Sequence, residues 1–358
     1  MKTLLFLLVG VYGAIPLTAQ KIIIKPNATH LSYQGRNLIT ADSADLYWSG
    51  ASVKIHFTGK TLKAVLKDER ANNYLYVIID STFRKLKLDT IKKEYVLAEN
   101  LKKGNHTAEL YKITEYDRGK ITFYGFALDK TGKSLMAPAR AKTKRKIEVY
   151  GNSITCGYAV EDSTGDSPAS VYQNNYLSYA AITARHYQAD YSFIAKSGIG
   201  ITISWFPYVM PDIYDRLNPA DSTSHWDFSR FTPDVVIINL FQNDSWLVKM
   251  PDHEQFKRVF GNAPPAPEFI IAAYKKFLLS IRSKHPKAHI ICALGSMDAT
   301  KEGSPWPGYV TEAVKQVNDQ KIITYFFPYK NTPGHPKIKE QKVMADSLIQ
   351  FIDRNVEW

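Results

Sequence analysis

Only two cysteines occur in the 358 residues, Cys156 and Cys292. That excludes a disulfide scaffold. Both fall in or beside apolar strand patterns, which predicts two free, buried thiols. Paired Cys-x-x-Cys, His-Glu-x-x-His, dinucleotide and phosphate-loop signatures are missing as well. His285 and His289 have i,i+4 spacing, but Pro286 stands between them and they flank a helix end rather than share a face. The reading is therefore no metal and no cofactor. Past residue 19 no apolar run is long enough to cross a bilayer, so no membrane insertion is expected. Internal repeats and low-complexity tracts are also absent.

Charge of one sign is not scarce, but it is not gathered either. The net charge of +12 comes from scattered basic residues, densest at Lys142, Lys144, Arg145 and Lys146. A nucleic-acid reader would concentrate them on one face with aromatic partners. The charge reads as a solvated surface, and no nucleic-acid partner is expected.

What is present has a clear order. Residues 1–19 carry one lysine, a short leucine-rich run and a Leu17-Thr18-Ala19 exit, the pattern of a secretory leader cleaved after Ala19. No cysteine follows that site, so no lipid anchor is expected, and the protein reads as exported, periplasmic or secreted. Residues 20–142 read as all-β, with alternating runs at 52–57, 62–66, 74–79, 106–111 and 121–126 separated by turn residues. Many short strands without helices predict a jelly-roll sandwich, its aromatics serving as core more than as a sugar platform. A basic, proline-containing linker starts near Met136.

Residues 143–358 alternate strands with helices. Strands are predicted at 147–150, 191–195, 235–240, 290–294 and 322–327, and helices at 175–187, 268–284, 310–318 and 337–355. Strands apolar on both faces mean a parallel five-stranded sheet flanked by helices.

Polar and glycine-rich clusters follow these strands. Ser153 follows the first, Gly198 and Gly200 the second, Asn243 and Asp244 the third, and His335 the last. All should lie at carboxyl strand ends, where open α/β sheets bind ligands. A nucleophilic serine needs a base and N–H donors for the oxyanion. His335 could be the base, and Ser153 N–H, Gly198 N–H and the Asn243 amide the donors. Each piece also has an ordinary use. His335 could be a cap or surface residue, the glycines a plain turn, and Asn243-Asp244 an N-cap pair.

The residues in this order resemble the SGNH/GDSL hydrolases, and more closely the carbohydrate esterases of family 2. The resemblance is carried by Tyr47-Trp-Ser-Gly50, residues 73–80, Ile147-Glu-Val-Tyr-Gly-Asn-Ser-Ile-Thr-Cys-Gly-Tyr158, Ser197-Gly-Ile-Gly200, Trp226-Asp-Phe228 and Asn243-Asp244. It implies a jelly-roll domain fused to an SGNH hydrolase domain, with Ser153 as nucleophile, His335 as base and Gly198 and Asn243 at oxyanion positions. It also implies an exported esterase that removes O-acetyl groups from plant polysaccharide of the xylan or mannan type, or from derived oligosaccharides.

Three departures qualify the match. Asn152 replaces the family's aspartate beside the serine, Phe241-Gln242 replaces Gly-Thr before Asn243, and Asn331 to Gly334 offer no acid ahead of His335. The favoured reading of the last is a Ser–His dyad with a backbone carbonyl on the imidazole. A carboxylate from Asp162, Asp166 or Asp298, or a decayed site, are the other readings. Trp246 and Trp306 are candidates to stack on a sugar ring. The rival functions are a carbohydrate-binding protein with a degenerate site and an esterase for another acylated sugar.

Overall fold

The computed structural model describes residues 21–136 and 145–358. The predicted leader and most of the basic linker, Lys142 and Lys144 included, lie outside the described residues.

The first half is two antiparallel sheets packed face to face. One runs Asn37–Ile39, Ala44–Leu46, Ile121–Leu128, Leu62–Asp68, Lys93–Ala98, with Ile22–Ile24 also on Ile121–Leu128. The other runs Lys133–Leu135, Ser52–Thr58, Asn105–Lys112, Tyr74–Ile79, Thr82–Lys87, with Ser32–Gln34 also on Ser52–Thr58. Period-2 alternation makes this core. Val53, Ile55 and Phe57 turn inward and share one buried cluster with Leu62, Ala64, Leu66, Leu110 and Phe123.

The five expected strands are present, and Phe57, Phe123 and Phe126 are core residues as predicted. Strands of three residues, such as Ser32–Gln34 and Asn37–Ile39, are too short for alternation to register. Thr82–Lys87 hides for another reason: it is a charged edge strand carrying Arg84, Lys85 and Lys87.

The second half is a parallel sheet in the order Asp190–Ala195, Lys146–Gly151, Val235–Asn239, His289–Leu294, Ile322–Phe326. This is the doubly wound order whose switch point lies beside its first strand, here Lys146–Gly151. Side-chain parity divides the sheet between two cores. Ile147, Val149, Val235 and Ile237 face helices Tyr179–His186 and Ile338–Asn355, whereas Tyr150, Val236, Ile238 and Ile290 face Pro267–Lys284 and Trp306–Val317. The Ile338–Asn355 helix buries Met344, Ala345, Leu348, Ile349 and Ile352, a helical-period stripe. Cys156 and Cys292 are buried and unpaired, as expected. Among the described residues no helix is long and apolar enough to cross a membrane.

The halves share their cores. Tyr47 and Trp48 of the sandwich join one hydrophobic cluster of the α/β half, and Tyr111 and Ile113 join the other. Gly50 sits at φ +80°, and a Cβ there would stand 2.5 Å from the Phe193 ring, so close packing at this seam requires glycine. Arg36, fully buried, donates to the Tyr214 and Arg216 carbonyls at 2.6 and 3.1 Å and lies 3.4 Å from Glu148. Glu148 also pairs with His285 Nε2 at 2.9 Å. Removing one member of such a buried pair costs about 3–5 kcal/mol.

Candidate active site

The Lys146–Gly151 strand ends in a tight turn into the short helix Ser153–Cys156. A Cβ on Gly151 would overlap the Thr155 side chain, so only glycine lets the turn close this tightly. The Asn152 side chain accepts the Ile154 N–H at 3.0 Å and caps the helix. Asn152 is therefore an N-cap, a task an amide oxygen performs as an aspartate would. Ser153, 4% exposed, is left at the first helical position, where its N–H has no partner within the turn.

His335 approaches from the segment ahead of the Ile338–Asn355 helix. Its Nε2 lies 2.8 Å from Ser153 Oγ. Its Nδ1 lies 2.6 Å from Asp166 Oδ2, and its backbone N–H donates to Asp166 Oδ1 at 3.0 Å. The carboxylate is an acceptor, so Nδ1 carries the proton and Nε2 is free to accept the serine hydroxyl. The favoured dyad had a backbone carbonyl at Nδ1, and the structure places a carboxylate there instead. Asp166, the second of the three acids considered, reaches the imidazole from a loop far away in sequence. Asp162 is occupied in holding that loop, accepting from Thr164, Gly165 and Ser167 N–H groups at 3.1, 3.0 and 2.9 Å. Asp298 faces elsewhere, accepting from Trp246 Nε1 at 2.8 Å and from Gln242 Nε2 at 2.9 Å.

Partial burial by itself would raise the Asp166 pKa. The His335 ring and backbone donors, the imidazole charge and the Lys337 ammonium outweigh it and hold the carboxyl well below its ordinary range. Lys337 Nζ stands 3.1 Å from Asp166 Oδ1 and also donates to the Ala159 and Gly165 carbonyls. The Tyr158 ring packs 4.5 Å from the His335 ring.

The remaining donors sit at the same sheet edge. Gly151 pairs with Ala195 and Asn239 on the neighbouring strands, and Lys196 N–H donates to the Gly151 carbonyl at 3.3 Å. Gly198 follows with φ +82°. Asn243 Nδ2 donates to the Ile199 carbonyl at 2.8 Å, which leaves its second proton available, and its Oδ1 accepts from Trp205 Nε1 at 3.1 Å. Asp244 is buried and accepts from Ile201 and Thr202 N–H groups at 3.0 and 2.6 Å, so it ties down the loop behind Gly198. Burial raises its pKa against those donors.

Phe241, Trp306 and Trp246 fall in different surroundings. The Phe241 ring is fully buried against Tyr274 and Trp306, with centroids 4.8 and 5.0 Å apart, and belongs to the core. The backbone there has φ +78°, which explains why glycine is ordinary at this position. Trp306 is 2% exposed inside that core and has no face to offer a sugar. Trp246 is half-buried with its N–H on Asp298. The tryptophan that the sequence did not point to is Trp205, 41% exposed and bonded to Asn243. Its signal was weak, because no motif spacing relates Trp205 to its partner.

Known proteins resemble this chain over both of its halves. Residues 33–138 match the carbohydrate esterase 2 N-terminal family and residues 149–325 the GDSL-like lipase/acylhydrolase family. A cellulase/esterase of Acetivibrio thermocellus is 32% identical over 323 residues, covering 87% of this chain but 38% of that protein. An acetylxylan esterase / glucomannan deacetylase of Cellvibrio japonicus is 25% identical over 92% of this chain and 90% of its own length. The solved structure of a family two carbohydrate esterase from Clostridium thermocellum in complex with cellohexaose superposes with TM-score 0.79 at 32% identity, covering 90% of this chain and 98% of that one. With both halves matched in order and the fold shared, the chain belongs to family 2 of the carbohydrate esterases.

Proposed function

We propose that the protein is an exported O-acetyl esterase acting on acetylated plant polysaccharide of the xylan or mannan type, or on its oligosaccharides. The observation that carries this reading is the line of contacts from Ser153 Oγ through His335 to Asp166, at 2.8 and 2.6 Å. Ser153 attacks the acetyl carbonyl while His335 Nε2 takes its proton. Asp166 holds the imidazole tautomer and stabilises the imidazolium. The Ser153 and Gly198 N–H groups and the free proton of the Asn243 amide receive the oxyanion. His335 then protonates the departing sugar hydroxyl, activates water against the acetyl-enzyme, and acetate leaves.

The acetylated substrate is suggested by the activity for which the Cellvibrio japonicus relative is named. The Asn152 and Phe241 departures do not argue for a degenerate site: Asn152 caps a helix and the Phe241 ring lies in the core. Domains at 20–142 and 143–358 and a leader at 1–19 complete the proposal. Purified protein should release acetate from 4-nitrophenyl acetate and from acetylated xylan or glucomannan, and Ser153→Ala should abolish both. Full turnover by that variant would remove Ser153 as nucleophile, while glycan binding without turnover by the intact protein would favour the rival reading.

A further inference from the structure

One buried acid near this site belongs to the other half of the molecule. Glu115 lies between the sandwich strands Asn105–Lys112 and Ile121–Leu128, and it is fully buried. Its Oε2 accepts the Ser197 N–H at 2.7 Å and its Oε1 accepts the Ser197 hydroxyl at 2.5 Å. Ser197 is the residue immediately before Gly198. We propose that Glu115 is a positioning residue for catalysis, supplied by the sandwich, which fixes Ser197, the residue from which the peptide carrying the Gly198 oxyanion donor departs. This inference rests on the esterase reading above.

The surroundings are built to hold that carboxylate. Lys112, also fully buried, donates from Nζ to the Thr114 and Glu115 carbonyls, each at 2.8 Å, and so shapes the turn. Beside it, Lys196 Nζ lies 3.4 Å from Asp117 and 4.4 Å from the Phe206 ring, placing a cation against the acidic pair. Burial and Asp117 raise the Glu115 pKa, while Lys196 and the two Ser197 bonds oppose the rise. Tyr116 OH meets Tyr208 OH at 2.7 Å and closes the same seam.

The oxyanion loop is thereby held at both ends by buried carboxylates. Asp244 binds the N–H groups of Ile201 and Thr202 from the α/β half, and Glu115 binds Ser197 from the sandwich. Between them, the Trp205 backbone N–H donates to the Gly198 carbonyl at 3.1 Å. Catalysis by an oxyanion donor needs its N–H already aimed at the developing charge. A misplacement of about 1 Å can cost on the order of 10²-fold in rate. The two Glu115 bonds fix Ser197 and the peptide before it, and the Trp205 bond fixes the peptide after Gly198, so the Ser197–Gly198 peptide between them is anchored on both sides.

The test compares Glu115→Met and Ser197→Ala with the wild type on 4-nitrophenyl acetate. Glu115→Met keeps the length of the side chain and removes both acceptor oxygens, whereas a glutamine amide would accept the Ser197 N–H and donate to its hydroxyl. Glu115→Met is therefore the informative variant. It should lower kcat roughly 10- to 100-fold with KM changed less than about threefold, as expected for a donor used mainly in the transition state. Ser197→Ala keeps the N–H contact and should lose roughly 2- to 10-fold, the equivalent of one ordinary hydrogen bond. A purely structural role would lower the unfolding temperature and leave kcat of the folded enzyme unchanged. Folded Glu115→Met with wild-type kcat overturns the inference. If that variant does not fold, wild-type kcat in Ser197→Ala overturns it instead. A wild type without turnover removes the esterase reading, and this inference falls with it.

Discussion

Asp166 and His335 are 169 residues apart in the chain, yet Asp166 Oδ2 lies 2.6 Å from His335 Nδ1 and Asp166 Oδ1 accepts the His335 N–H. The acid therefore fixes both the imidazole and the backbone that carries it. Lys337, two residues on, contacts the same carboxylate and the loop carbonyl of Gly165. The loop and the segment ahead of the last helix are joined as one unit.

Asp166→Asn should lower kcat by on the order of 10³–10⁴, because an amide can donate to Nδ1 and favour the wrong tautomer. KM should change little. Steady-state kinetics on a small acetyl ester measures this, and a loss smaller than about tenfold would restore the dyad reading.

The same pair sets a pH dependence of stability. The folded Asp166 carboxyl titrates below its ordinary value of about 3.9. The unfolded chain therefore binds this proton first as pH falls. The contribution is fully present above about pH 4 and is lost as pH drops through the folded value. Urea unfolding at pH 7 and near pH 3 should show the gap between wild type and Asp166→Asn narrowing at the lower pH. A gap that widens would contradict the assignment.

Trp205→Phe keeps a ring in place but removes the N–H that holds Asn243 Oδ1. One such bond is worth about 0.5–1.5 kcal/mol, so kcat should fall roughly 2- to 10-fold on a small ester. Trp205→Ala should add a rise in KM on oligosaccharide alone if the exposed ring also meets sugar. Equal KM on both substrates would assign the ring to positioning only.

Phe241→Gly sets two effects against each other. Relieving φ +78° at a bulky residue returns about 1–3 kcal/mol. Emptying its site beside Tyr274 and Trp306 costs about 3–5 kcal/mol. The variant should unfold at lower temperature or lower denaturant. A rise in stability would show that relief of backbone strain outweighs the lost packing.

Much of the architecture was legible because it rests on local periodicity. The parallel strands read from 147, 191, 235, 290 and 322 because runs apolar on both faces are short-range signals. The short strands Ser32–Gln34 and Asn37–Ile39 were not, since three residues carry no period. Trp306 was misread because a tryptophan after a strand looks the same whether it borders a mouth or packs on Phe241.

The sequence by itself determined the two-part fold, the glycine-asparagine-serine turn, and the order of Ser153, Gly198, Asn243 and His335 along one sheet edge. Those follow from spacing within single elements. Only the tertiary structure decided that Asp166 completes the contact line to Ser153, and that Glu115 crosses from the sandwich to hold Ser197. Each of these joins a loop to a residue far off in the chain. Such contacts form only when separately folded layers pack, and no local pattern of residues records which loops will then meet.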